Sequence, residues 1–157
     1  MTDLNVPAFV PNFIGGAEVP TAAGEHFEKH NPATGAVLTT VARSREADVR
    51  RAVDAARAAQ PAWAAATPVR RGDILRAIAL GMRDRRAEIA ALVARETGKS
   101  LKDALGETDA AIEMGFFVAG EGRRFYGKTT TSAVPNKFAM VVRQPLGVAG
   151  LIIAANT

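Results

Sequence analysis

The most constraining feature of the 157-residue sequence is its final run, Gly147-Val148-Ala149-Gly150-Leu151-Ile152-Ile153-Ala154-Ala155-Asn156-Thr157. An apolar, β-branched run without polar alternation predicts a strand covered on both faces, the signature of a buried parallel sheet. In open α/β sheets, ligands sit just beyond the carboxyl ends of the strands, which is where Asn156 would lie. The expectation is the front part of something larger, in which the ligand edge of a sheet begins where this sequence stops.

Composition narrows the classes. With 48% hydrophobic and 23% charged residues, the chain is of globular rather than disordered type. A net charge of +4 invites a nucleic-acid reading. Yet basic and acidic residues alternate, as in Arg43-Ser44-Arg45-Glu46-Ala47-Asp48-Val49-Arg50-Arg51, and no dense basic block is interleaved with aromatics. A solvated helix surface explains this better than a nucleic-acid partner. The absence of cysteine excludes a disulfide scaffold and any cysteine nucleophile among these residues. No signal-peptide pattern and no apolar run of spanning length is present, so neither a membrane partner nor an export signal is expected, and the cytoplasm is the default location.

Along the chain, a small β unit is expected first. Gly15-Gly16 is suited to a tight turn between Phe13-Ile14 and Ala17-Glu18-Val19, followed by a polar strand over 25–31, an Asn31-to-Gly35 turn and a strand over 36–42. Helices are expected from Ser44 to about Tyr126. Ser44 caps the first and Pro61 ends it; Thr67-Pro68 starts the second, with Leu75, Ile78 and Met82 on its buried face. Gly98 stops the third, and Ser100 starts a long fourth with Leu101, Leu105, Thr108, Ile112, Phe116 and Ala119 in its stripe. Residues 129–136 are expected to be a polar connection, and 137–143 a strand.

Several motifs compete for a function. Gly122-Arg123-Arg124-Phe125-Tyr126-Gly127-Lys128-Thr129 matches the phosphate-loop pattern letter for letter. That loop needs a strand before it and a helix after it. Here a helix precedes it, so a helix end with a glycine stop is the better reading. Gly120-Glu121-Gly122 begins a dinucleotide pattern, but Phe125 stands at the third glycine position. His26, Glu28 and His30 alternate on one strand face and could hold a metal; the solvent face of a hairpin is preferred, and no metal site is expected. Trp63 is expected to plug a core, and Phe116-Phe117 to be ordinary packing. Asn156 remains the candidate catalytic residue, a side-chain amide able to donate to a developing oxyanion.

The order of these pieces resembles the NAD(P)-dependent aldehyde dehydrogenase superfamily. The residues that carry the resemblance are Phe13-Ile14-Gly15-Gly16-Ala17-Glu18-Val19, Asn31-Pro32-Ala33-Thr34-Gly35, the stretch from Asp48 to Ala59, and Pro61-Ala62-Trp63. Arg71-Gly72-Asp73-Ile74-Leu75-Arg76, Glu96-Thr97-Gly98-Lys99 and Arg143-Gln144-Pro145-Leu146-Gly147-Val148 follow in order. The resemblance implies an α/β fold: the N-terminal part of a Rossmann-type cofactor domain in a subunit about three times as long. Residues 1–126 would form its N-terminal layer, 127–147 part of an oligomerisation arm, and 148–157 the first strand of the dinucleotide sheet.

The same resemblance implies NAD or NADP as cofactor, with Ile153, Ala154, Ala155 and Asn156 lining its site. It also implies an aldehyde substrate and a homo-oligomer, dimer or tetramer. In the family a cysteine thiolate adds to the aldehyde, hydride passes to the nicotinamide, and an activated water hydrolyses the thioester. The family's cysteine and glutamate base lie far downstream, and the chain also lacks the family's cofactor-binding lysine and the glycine turn after the first strand. Asn156 matches the asparagine that helps hold the substrate oxygen, while Ala154-Ala155 stands where many members have proline and an aromatic. The chain by itself is therefore expected to be inactive. The alternative is a non-catalytic short paralogue acting as an oligomerisation module.

Overall fold

The computed structural model describes residues 4–153. Its N-terminal part is a small β unit. Strand β1 (Phe9–Val10) pairs in parallel with β5 (Val37–Ala42), and β5 pairs antiparallel with β4 (His26–His30). Strands β2 (Asn12–Ile14) and β3 (Ala17–Val19) form a separate hairpin. Its turn residues Gly15 and Gly16 have φ of 64° and 84°, the left-handed pair that a two-residue hairpin turn requires. The β4–β5 turn is closed by Asn31, whose Oδ1 accepts the Ala33 N–H at 2.9 Å.

Four helices follow: α1 (Glu46–Ala65), α2 (Pro68–Asp84), α3 (Arg86–Thr97) and α4 (Leu101–Ala119), with a 3₁₀ turn over Gly120–Arg123. Three of the expected caps are present. The Thr67 Oγ1 accepts the Arg70 N–H at 3.2 Å, and the Ser100 Oγ accepts the Asp103 N–H at 3.1 Å. Gly98 ends α3 in the left-handed conformation, φ 78°.

The start of α1 differs from expectation. Ser44 is not the cap; its hydroxyl donates to Asn12 Oδ1 at 2.7 Å, and Arg45 takes the cap position. The carboxylate that closes this end is Asp48. It accepts the Arg45 N–H at 2.9 Å and reaches across to the Ala22 N–H at 2.8 Å, tying the helix to the β unit. Asp48 is the largest fully buried side chain described. Those two N–H donors, first Arg45 and then Ala22, hold its pKa below the ordinary 3.8 against the opposing effect of burial, with the Arg51 charge adding to them.

Pro61 does not end α1, which continues to Ala65. Proline removes one amide donor, but the turn beyond it is held from both sides. The Ala66 N–H donates to the Ala62 carbonyl at 3.2 Å, and the Arg71 guanidinium donates to the Ala66 carbonyl at 2.7 Å.

The core is narrow and built of small residues. Its buried apolar members among the described residues are Ala42, Ala79, Ala90, Ala104 and Ile112. Helices α2 and α4 cross at the closest contact of the layer. A Cβ on Gly72 would collide with the Ala119 carbonyl, one on Gly122 with the Pro68 carbonyl, and one on Gly115 would lie 3.0 Å from the Ala79 Cβ. This spacing alters the expected buried face of α2. Leu75 and Met82 are half-buried, but Ala79 occupies the contact and Ile78, expected to be buried, is 55% exposed. Leu101 and Phe117 of the α4 stripe are exposed as well, whereas Thr108 and Ile112 are buried.

The polar connection expected over 129–136 contains a strand. β6 (Lys128–Thr131) pairs antiparallel with β7 (Phe138–Val141), in register from Lys128↔Val141 to Thr131↔Phe138. β-Branched threonines favour the extended backbone, and their partner strand supplies the ladder that a polar count alone does not reveal. Gly127 permits the close approach of this hairpin's base, since a Cβ there would strike the Val141 carbonyl. The terminal run differs in the other direction. Residues 148–153 are in no strand, because no neighbouring strand among the described residues offers them a hydrogen-bonding edge.

Two outcomes check this packing. Gly72→Ala and Gly122→Ala each cost about 1–3 kcal/mol in urea denaturation, the range for overpacking. Gly106→Ala, in α4 with open space around it, stabilises by about 0.5–1 kcal/mol. Equal effects at the three sites would refute the close crossing.

Asp48 gives a pH signature. Its folded pKa is depressed, so its stabilisation is complete above the unfolded value of 3.8 and is lost as pH falls through the lower folded value. The Asp48→Ala variant should melt several degrees below the parent at neutral pH, and the difference should shrink as the pH falls below the carboxyl range. A difference that persists unchanged under acid would show that the carboxylate charge is not what the contact uses.

Candidate functional site

The side of the layer formed by α1, α2 and residues 143–150 carries three adjoining clefts. One, of about 370 Å³, lies between Trp63 on α1, Leu75 and Ile78 on α2, Val118 on α4, and Phe125. A second, of about 730 Å³, shares Trp63, Pro68, Arg71 and Phe125 with the first and extends to Leu146. The third, of about 420 Å³, shares Gln60 and Gly147 with the second and runs past Val53 to Val148. Together they form one trough that leads along α1 to the terminal apolar run.

Part of the trough's floor follows from the helix packing. Because small residues hold α2 against α4, Ile78 is left on the flank of α2. Trp63 of α1, expected to plug a core, is instead 50% exposed. Its sequence neighbours are alanines, which leave its ring standing above the helix surface.

The charged groups along the trough are committed to the fold. Arg71 donates to the Ala66 carbonyl at 2.7 Å and to the Trp63 carbonyl at 3.4 Å. The Arg143 guanidinium stacks 4.9 Å from the centre of the Phe125 ring and donates to the Tyr126 carbonyl at 3.1 Å. The Arg71 contacts tie α2 to the end of α1, and those of Arg143 hold the chain's exit from the hairpin against residues 125–126; the other charged groups of the lining, Glu121 and Arg57, pair with Arg124 at 2.5 Å and with Asp54 at 4.0 Å.

Of the site residues expected from sequence, the structure describes only Ile153. It lies at the far end of the trough's chain segment and is 91% exposed. Ala154, Ala155 and Asn156 lie outside the described residues. A dinucleotide requires donors for its pyrophosphate, and no side chain in the 148–153 run carries one.

The competing motifs resolve as packing. Residues 122–129 follow a helix and lead into β6 rather than into a helix, so the phosphate-loop geometry is not formed. Gly122 and Gly127 serve the close backbone approaches to Pro68 and Val141. On β4, Glu28 Oε2 lies 3.1 Å from His30 Nε2, and His30 Nδ1 faces the Gly35 carbonyl at 3.0 Å. Among the described residues, no group of three or more histidine, aspartate or glutamate side chains is gathered to hold a metal.

The other perturbed groups are ion pairs of the helical layer. A hydrogen bond from Arg86 lowers the Asp109 pKa and joins the start of α3 to α4. A hydrogen bond from Arg85 lowers that of Glu88 within α3. Both pairs are solvent-accessible and lie away from the trough's lining.

Comparison with known proteins identifies the family of the chain. The model of the aldehyde dehydrogenase family matches residues 19–157. The alpha-ketoglutaric semialdehyde dehydrogenase of Bacillus subtilis is 39% identical over 146 residues, and the glutarate-semialdehyde dehydrogenase of Pseudomonas putida is 36% identical over 144 residues. In both cases the match covers 92% of this chain and 30% of the relative. The crystal structure of an Escherichia coli NADP dependent enzyme superposes with a TM-score of 0.85 at 34% identity, over 92% of this chain and 30% of that one. The chain thus spans 30% of the length of these relatives, and over that span it belongs to the aldehyde dehydrogenase family.

Proposed function

We propose that the chain supplies the N-terminal third of an NAD(P)-dependent aldehyde dehydrogenase, which oxidises an aldehyde to a carboxylic acid through a cysteine-bound thiohemiacetal and thioester. The observation that carries the reading is the collinear match, over nearly the whole chain, to enzymes named for semialdehyde substrates. Residues 1–126 form the outer layer of the cofactor domain in this reading, and 148–157 the strand that reaches the cofactor and substrate. Residues 127–147 carry the oligomerisation arm. The exposed β6–β7 hairpin, with Phe138, Met140 and Val141 open to solvent, supports that role.

Within the proposed enzyme, Ile153, Ala154 and Ala155 offer apolar contact to the dinucleotide, and the Asn156 amide donates to the substrate oxygen. An amide donor contributes most when negative charge has developed on that oxygen after thiolate addition. The chain has no cysteine and so no thiol to form the covalent adduct. The purified 157-residue chain should therefore leave NAD and NADP unreduced in the presence of any aldehyde, and aldehyde-dependent reduction by it would refute the thiol requirement.

In a complete subunit bearing these residues, Asn156→Ala should lower kcat by about 10²–10³-fold, the usual effect of removing one oxyanion donor. A change confined to KM would make Asn156 a ground-state contact. Unchanged kcat and KM would remove it from the site.

A further inference from the structure

Outside the trough, one cleft has a lining whose charges the fold leaves unpaired. It encloses about 360 Å³, within the size range of small-molecule sites, and shares only Gly72 with the trough's clefts. Asp73 and Arg76 stand on α2, Phe116 and Ala119 on α4, and Arg123 on the 3₁₀ turn beyond it. Phe116 is half-buried, and the Arg83 guanidinium lies 5.8 Å from the centre of its ring. The cleft therefore joins guanidiniums from two different elements to an aromatic surface.

Among the described residues, none of Asp73, Arg76 and Arg123 takes part in a side-chain hydrogen bond or ion pair. Other arginines of the layer do find carboxylates: Arg124 pairs with Glu121, Arg86 with Asp109 and Arg85 with Glu88. Asp73 and Arg76 are three residues apart on one helix, a spacing at which such pairs often close, yet no ion pair forms between them.

The lining thus offers two positive charges and one negative. A simple anion such as phosphate satisfies the guanidiniums but meets the Asp73 carboxylate as a like charge. The ligand that matches all three has two anionic groups, one cationic group and a short apolar chain. The backbone adds to this pattern, because α4 ends at Ala119 and the carbonyl end of a helix favours positive charge.

We propose that this cleft binds a free acidic amino acid. Its two carboxylates pair with Arg76 and Arg123, its ammonium with Asp73 and the end of α4, and its methylenes lie on Phe116. Guanidinium and carboxylate form two parallel hydrogen bonds, which makes the pairing selective for planar acids. None of these residues has a part in the proposed oxidation, and occupancy is measured without turnover.

The test is calorimetric titration of the purified 157-residue chain with L-glutamate, glutarate and inorganic phosphate. Glutarate has the same carbon chain and both acids but no ammonium. L-Glutamate should bind one-to-one with Kd on the order of 1 mM and shift the ring-proton resonances of Phe116. Glutarate and phosphate should bind about tenfold more weakly or not at all. Arg76→Gln and Arg123→Gln should each weaken L-glutamate by about tenfold or more. Arg43→Gln, at an exposed arginine outside the cleft, should leave it unchanged. Asp73→Asn removes the ammonium's partner and the like charge together, so glutarate should then bind more tightly than L-glutamate. All four positions are exposed, and the variants should melt with the parent.

Absence of saturable L-glutamate binding overturns the site. So does phosphate binding as tightly as L-glutamate, which would make the cleft a general anion patch, or a ligand order that Asp73→Asn leaves unchanged. A complete subunit bearing these residues should give the same order of ligands, and loss of L-glutamate binding there overturns the proposal as well.

Discussion

The crossing of α2 and α4 determines the rest of the layer. Gly72 lies under the Ala119 carbonyl, Gly115 under Ala79, and Gly122 under the Pro68 carbonyl, so the two helices meet nearly backbone to backbone. Such a contact gains dispersion from many closely spaced atoms but buries little side-chain area. It leaves no room at the contact for a larger apolar residue such as Ile78, which stands on the flank of α2 and lines the trough beside Trp63 of α1 and Phe125. The feature that holds the layer together is also the one that leaves it an open face.

The β unit and α1 depend on a second constraint of a different kind. Asp48 spends both carboxylate oxygens on backbone N–H groups, one at the helix start and one at Ala22 in the loop beyond β3. Charge at a helix N-terminus is favoured by the orphan donors and the helix dipole. Here the same group spans two elements that otherwise share little packing. A polar cross-link substitutes for the apolar burial that α1 lacks on its own side of the layer.

Features governed by local chemistry were legible in the sequence. Gly15-Gly16, Thr67-Pro68, Gly98 and Ser100 act where expected because turns and caps are settled by a few adjacent residues. Features that need a partner were not. The threonines of β6 form a strand through pairing with β7, Pro61 is outweighed by hydrogen bonds in the turn beyond it, and Ile78 loses the buried position to Ala79 for want of space. Residues 148–153 show the converse: a strand pattern without a neighbouring edge remains unpaired. The trough is not legible in the sequence, because Trp63 among its alanine neighbours and Ile78 in an apolar helical stripe both read as core positions.

The glycine motifs show how the same letters divide between chemistry and packing. A phosphate-binding glycine leaves space for an anion, and it works only where a helix start aims N–H groups into that space. At Gly122 and Gly127 the space is already filled by the carbonyl oxygens of Pro68 and Val141. An anion placed there would meet acceptors rather than donors. The electrostatics of these positions therefore oppose phosphate for the same reason that the packing demands glycine, and the pattern match and its failure have one physical cause.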